Sequence, residues 1–195
     1  MQSTSTATQP ATSPASSNQI MEIKKINLPI EDGVKMSLKA GEKVLISGTI
    51  YTARDEAHEK IIEMFENGQH LPMDFKNQAI YYAGPAPAKP GEVIGSCGPT
   101  TSTRMDKYTP TFLKELGVSV MIGKGNRGSE VIEAMKNTKA VYFVVIGGLG
   151  AKIASCVTKN ELIAFPELGA EAIRKLEVVD MPAIVAIDTL GHSIY

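Results

Sequence analysis

Short apolar runs alternate with amphipathic stretches along most of this chain, and that alternation predicts its elements. Runs at 22–28, 34–38, 43–47, 78–83, 118–122, 140–146, 161–165 and 183–188 are rich in Val, Ile and Tyr and predict β-strands. Segments 54–67, 102–116 and 130–137 space their apolar residues by three and four and predict helices, with a short one at 170–175. Asn67-Gly68 and Leu116-Gly117 read as glycine stops for the first two helices, and Pro110 kinks or splits the second. Strands separated by helices make an α/β domain, expected here as a mixed sheet with flanking helices. The consecutive strands of the N-terminal part imply some antiparallel pairing, and 85–91, with three prolines, reads as an exposed loop.

Composition sharpens this picture at the N-terminus. Residues 1–19 are almost all Ser, Thr, Ala, Gln and Pro without a charged side chain, which predicts a disordered extension ahead of one folded domain over 20–195. That extension lacks the basic residues and apolar core of a secretory signal and the arginines of a transit peptide, so a cytoplasmic location is expected. The longest apolar run, 140–146, is far short of the ~20 residues of a membrane helix and reads as a buried strand. Twenty basic against twenty-one acidic residues favour neither nucleic acid nor an anionic membrane as partner.

Three segments carry candidate chemistry. Gly98-Pro99-Thr100-Thr101-Ser102-Thr103-Arg104-Met105-Asp106 joins a turn, four consecutive hydroxyls and a guanidinium at a predicted helix entrance. Thr100, Thr101 or Ser102 can serve as N-cap, and unpaired first-turn N–H groups would favour a carboxylate or phosphate there. Thr100 and Arg104, four apart, share one helical face if the helix starts early enough. Ile46-Ser47-Gly48-Thr49-Ile50-Tyr51-Thr52-Ala53-Arg54-Asp55-Glu56-Ala57-His58 repeats the design: Thr52 and Asp55 fit a capping box, and Arg54 occupies a first turn that disfavours a cation unless an anion is expected. In Ile122-Gly123-Lys124-Gly125 a strand ends in a lysine flanked by glycines, which let the backbone approach a ligand. Three cations just after strand ends suggest one pocket for a polyanionic small molecule.

Together these segments, with Leu71-Pro72-Met73-Asp74-Phe75, Tyr82-Ala83-Gly84-Pro85 and Gly147-Gly148, resemble the beta subunit, or C-terminal domain, of the class I fumarase and L-tartrate dehydratase family of iron-sulfur hydro-lyases. The resemblance runs over 41–195. It implies a swivelling β/β/α domain, Arg54, Arg104 and Lys124 as ligands of substrate carboxylates, Thr101 beside them, and Thr100 at the position of the base that removes the carbon-bound proton. A threonine base needs strong help from adjacent cations, so a role for Thr100 in hydrogen-bonding substrate stands alongside. Arginine suits a planar carboxylate better than lysine, and a dicarboxylate needs at least two such clamps. The resemblance also implies a four-iron, four-sulfur cluster. Such a cluster takes about three or four thiolates, whereas the chain has only Cys97 and Cys156, so the cluster is expected on a separate alpha subunit.

Fumarate hydration is the expected reaction, with L-tartrate dehydration as alternative. A noncatalytic dicarboxylate-binding or assembly module and a self-sufficient Thr or Ser hydrolase are further readings; the hydrolase lacks a histidine partner and a nucleophile elbow. Several residues read as structural. His58 packs on its own first turn or orients Arg54, while His70 and His192 have no metal-like spacing. Cys97 reads as a small residue at a strand end, and Met64, Met121 and Met135 as core filler. Gly147-Gly148-Leu149-Gly150-Ala151 lacks the third glycine of a dinucleotide fingerprint and instead lets a loop and short helix pack near the pocket. Glu56, Glu59, Lys60 and Glu63 are expected on a solvated face.

Overall fold

A computed structural model describes residues 23–146 and 148–195, so the extension expected at 1–19, the start of the strand expected at 22–28 and Gly147 lie outside the described residues. Five strands run parallel as neighbours in the order β1 (Lys24–Leu28), β2 (Lys43–Thr52), β3 (Ala79–Tyr81), β4 (Val120–Gly123) and β5 (Val141–Val144). The long β7 (Ile173–Ile187) runs antiparallel to β5 and returns along the whole of β2, from Lys43 opposite Ile184 to Thr52 opposite Arg174. Strands β2, β3, β4, β5 and β7 thus close a five-stranded mixed barrel, flanked by β1 and by β6 (Val157–Ala164). A bulge in β7 at Asp180, whose φ is 48°, is tied down by its N–H donating to Ser47 Oγ at 2.9 Å.

Strands β3, β4 and β5 are apolar without interruption because both faces are buried. Alternate residues Val44, Ile46, Tyr81, Ile122, Phe143 and Val185 fill one core shared by all five barrel strands. Their neighbours Ile80, Met121 and Tyr142 face a second core under the helices α2 (Asp55–Glu66), α3 (Thr109–Lys114) and α4 (Ser129–Thr138). Helix α2 buries Ala57, His58 and Ile61 one turn apart and stops at Asn67, followed by Gly68 with φ 64°, the expected glycine stop.

Three expectations are corrected. The run 34–38 is not a strand: α1 (Asp32–Ser37) forms there, with Asp32 in its first turn paired 3.0 Å from Lys35 and with Met36 half exposed, so apparent alternation did not mean a sheet face. Helix 102–116 is not continuous but split, one of the two outcomes expected of Pro110, into a 3₁₀ turn at Ser102–Met105 and α3, which Pro110 opens. The helix expected at 170–175 is the end of a 3₁₀ segment, Pro166–Glu171, followed at once by β7. The N-terminal strands β1 and β2 pair in parallel, α1 making the crossover, and β2 takes its antiparallel partner from the far end of the chain. The loop after β3 is exposed over residues 86–91, as expected from its prolines, and a short helix α5 (Gly150–Ser155) follows β5.

Candidate functional site

Because β2, β3 and β4 are parallel neighbours, the segments leaving their C-terminal ends emerge side by side, the usual place for a ligand in such a sheet. Arg54 follows β2 at the N-cap of α2, and Lys124 follows β4 directly. The hydroxyl-rich turn reaches the same edge by lying across the ends of β3 and β4. Thr100 N donates to Tyr82 O at 2.7 Å, Ala83 bridges Pro99, and Thr101 bridges Lys124. Ser102 is doubly tied to Lys124: its N–H donates to Lys124 O at 3.0 Å and its Oγ accepts from Lys124 N at 3.1 Å. The Tyr142 hydroxyl is hydrogen-bonded to Ser102 Oγ at 2.8 Å and to Gly125 O at 2.9 Å. Only glycine fits at Gly123, where a Cβ would stand 2.0 Å from Ser102 Oγ.

This stitching replaces the helix-entrance anion site expected from sequence. The N–H groups of Thr100 and Ser102 are bonded to strand ends, no side-chain oxygen caps the 3₁₀ turn, and Thr100 precedes that turn, so it shares no helical face with Arg104. The capping box at Thr52 is likewise absent. Thr52 Oγ1 donates to Ala172 O at 3.4 Å and accepts from Arg174 N at 3.2 Å, because β2 runs two residues short of Arg54 and Thr52 still belongs to the sheet.

Arg54, Arg104 and Lys124, with Thr100 and Thr101, nevertheless share this one edge. Asp55 Oδ1 accepts from Arg104 Nε at 2.9 Å, and its Oδ2 lies 3.9 Å from Arg54 Nε. Arg54 also has Glu171 Oε1 at 3.5 Å, while Glu171 Oε2 accepts from Glu56 N at 2.9 Å and so serves the open start of α2 from a distant segment. Arg104 is 52% exposed, Thr101 is exposed and Lys124 half-buried, which makes the cluster an open, cation-rich face.

Beneath it lies a residue that sequence reasoning missed. The Arg127 guanidinium is wholly buried; it donates to Asp106 Oδ1 at 2.7 Å, Thr109 Oγ1 at 2.7 Å and Tyr82 OH at 3.3 Å, and sits 5.1 Å from the Tyr82 and Tyr142 ring centres. Burial works against its charge, and Tyr82 and Asp106 more than offset that, so its pKa stands above the usual arginine value. An arginine in Gly125-Asn126-Arg127-Gly128 reads as loop charge; the usable signal was Asp106, a carboxylate closing the hydroxyl-rich segment without a local partner. His58 holds Arg54 in place, its N–H and Nδ1 bonded to Arg54 O at 2.9 and 2.7 Å, in a cage of Tyr82, Tyr108 and Phe112. Burial there pushes its pKa down to about 4, leaving it neutral at pH 7.

The described residues do not fit a resident iron-sulfur cluster. Cys97 is fully buried with its thiol pushed up to about 12 by burial, Cys156 lies apart at the end of α5, and no three metal-ligating side chains gather among the described residues. Cys97 instead anchors the site loop, its N–H donating to Gly150 O at 3.1 Å and its carbonyl accepting from Tyr81 OH at 2.6 Å. Gly150 packs against that loop so tightly that a Cβ would meet Ser96 Oγ at 2.3 Å and Gly98 N at 3.0 Å, the packing role expected of this segment, whereas Gly148 has nothing within 4 Å of such a Cβ.

Comparison with known proteins gives the family. The family model described as Fumarase C-terminus matches residues 1–195. The chain is 44% identical over 156 residues to "Fumarate hydratase 2" of Leishmania major, covering 80% of this chain and 28% of that protein. It is 42% identical over 154 residues to "Fumarate hydratase class I, aerobic" of Escherichia coli K12, covering 78% and 28%. To "Putative L(+)-tartrate dehydratase subunit beta" of Methanocaldococcus jannaschii it is 42% identical over 163 residues, covering 81% and 84%. The chain thus spans little more than a quarter of these fumarate hydratases and most of the subunit beta.

Proposed function

This chain belongs to the Fumarase C-terminus family of hydro-lyases, and on that premise we propose that it is the beta subunit of a two-subunit fumarate hydratase, active only with an alpha subunit. The observation that carries the reading is the meeting of Arg54, Thr100, Arg104 and Lys124 at the ends of three adjacent parallel strands. Arg54 and Arg104 each bring a planar fork suited to a carboxylate, and Lys124 adds a point charge. Thr101, bridged to Lys124, completes the binding edge. Thr100 Oγ1 either takes the carbon-bound proton in the dehydration direction or hydrogen-bonds the substrate. In this reading the iron-sulfur cluster belongs to the alpha subunit, the enzyme is cytoplasmic, and residues 20–195 form the swivelling β/β/α domain that the family implies.

A specific observation favours L-tartrate as the second substrate reading: the relative matched over most of its own length is named as a tartrate dehydratase subunit. An anaerobic assay of the purified chain, alone and mixed with a cluster-bearing alpha subunit, follows fumarate and L-tartrate separately. Activity in the mixture alone is expected, with fumarate preferred; turnover by the chain alone overturns the half-enzyme reading. In the active mixture, Arg104→Ala should lower kcat/KM by about a hundredfold or more, the loss of a charge-assisted bidentate contact. Thr100→Ala should lower kcat more than it raises KM if Thr100 moves a proton, whereas a raised KM at unchanged kcat assigns it to binding.

A further inference from the structure

Two buried polar atoms among the described residues have no hydrogen-bond partner, Arg54 Nε and Asp55 Oδ2, and they face each other at 3.9 Å. Unsatisfied buried groups are rare enough to need a reason. The other oxygen of the same carboxylate is committed to Arg104 Nε at 2.9 Å. Asp55 therefore stands between two guanidiniums that arrive from different strand ends, 49 residues apart in the chain where Arg104 is concerned.

A guanidinium offers two edges to a planar anion, one formed by Nε with a terminal nitrogen and one by the two terminal nitrogens. By taking Nε of Arg104, Asp55 fixes which way that fork points and leaves its terminal pair without a hydrogen bond among the described residues. Arg54 is confined from its other end. A Cβ at Gly84 would stand 2.8 Å from one terminal nitrogen and 3.0 Å from Cδ, and Glu171 flanks the other terminal nitrogen at 3.5 Å. Without a carboxylate between them, two like charges on one face would repel and splay.

We infer that Asp55 is a positioning residue for both arginines, hydrogen-bonded to Arg104 Nε and facing Arg54 Nε at the longer range of an ion pair, so that the two guanidiniums are held side by side for the two carboxylates of one substrate. The inference rests on the reading of Arg54 and Arg104 as substrate clamps. It has a distinctive sign. By charge alone, removing an anion from beside two cations strengthens their hold on a dianion; by positioning, the same change weakens it.

The test uses the assembled complex with the alpha subunit and succinate, a dicarboxylate that cannot be hydrated, as the probe. Asp55→Asn keeps the shape of the side chain and removes its charge. The expected result is a succinate Kd and a substrate KM both raised about tenfold, with the melting temperature of the complex lowered little. A Kd that is unchanged or tighter overturns the inference, and so does a loss of melting temperature with no change in Kd, which marks a purely structural role in the first turn of α2. If Asp55→Asn lowers the yield of complex, Asp55→Ser, another helix-start residue, gives the same readout. Arg104→Ala in parallel separates the two claims. Weak succinate binding in Arg104→Ala with wild-type binding in Asp55→Asn sinks the role of Asp55 alone, whereas wild-type binding in both removes the clamp reading beneath it.

Discussion

Every edge of the Arg127 guanidinium is occupied, by a carboxylate, two hydroxyls and two aromatic rings, and its Asp106 partner also accepts from Gly128 N at 2.6 Å. The pair pins the turn bearing Thr100 and Arg104 to the loop bearing Lys124 without reaching the face itself. Arg127→Ala leaves Asp106 without its buried cation and should cost about 3 to 5 kcal/mol, read as a shift of the urea midpoint. His58 supplies a pH dependence of definite sign. Its folded pKa of about 4 lies below the ordinary 6.5, so its contribution is present in full above pH 6.5 and is lost as the pH falls toward 4. The loss amounts to about 3 kcal/mol, from the size of that pKa difference. Comparing denaturant midpoints of the wild type and His58→Gln across this range isolates it, since the carboxylates titrate alike in both. Arg54 and Lys124 were legible because each follows closely on an apolar run, and Thr100 and Arg104 because they belong to a run of hydroxyls after a Gly-Pro turn. Arg127 and the bridging part played by Asp55 were not, because each acts on a partner brought near only by the fold.

At the scale of elements, the site depends on how closely a loop can lie against strand ends. Gly123→Ala should push Ser102 off β4 and lower turnover by about tenfold to a hundredfold, the usual cost of a displacement near 1 Å, with a smaller effect on melting temperature. An unchanged kcat/KM in that variant removes the stitching of Ser102 to Lys124 from the account of the site. The strands buried on both faces, β3, β4 and β5, were plain in the sequence as uninterrupted apolar runs. Strand β7 was legible only in its last third, since its earlier part mixes Glu177, Asp180 and Pro182 with apolar residues on a surface shared with β6. Segment 34–38 misled because five residues are too few to separate a period of two from a turn of helix whose first-turn charge lies just outside the window.

For the whole molecule, the proposed half-enzyme puts the oxygen-sensitive cluster on the alpha subunit. Prolonged aeration should inactivate the assembled enzyme, and fresh alpha subunit, not fresh beta subunit, should restore it. Restoration by this chain alone places the oxygen-sensitive group here and reverses the assignment. The barrel explains why consecutive parallel strands suffice for the site yet cannot stand without the rest: β2, which leads into Arg54, is held along its full length by β7.

That closure bears on how the protein is made. Arg54, Thr100, Arg104 and Lys124 have all been translated by residue 124, but the strand that closes the barrel runs to Ile187. On the ribosome the early strands must wait, unsealed, for the distant β7, the kind of long-range pairing that slows folding and leaves sheet edges exposed. A premature stop before β7 would leave every proposed contact residue encoded and none of them mounted, so the stretch that encodes β7 decides whether the earlier part becomes an enzyme component or a substrate for chaperones and proteases.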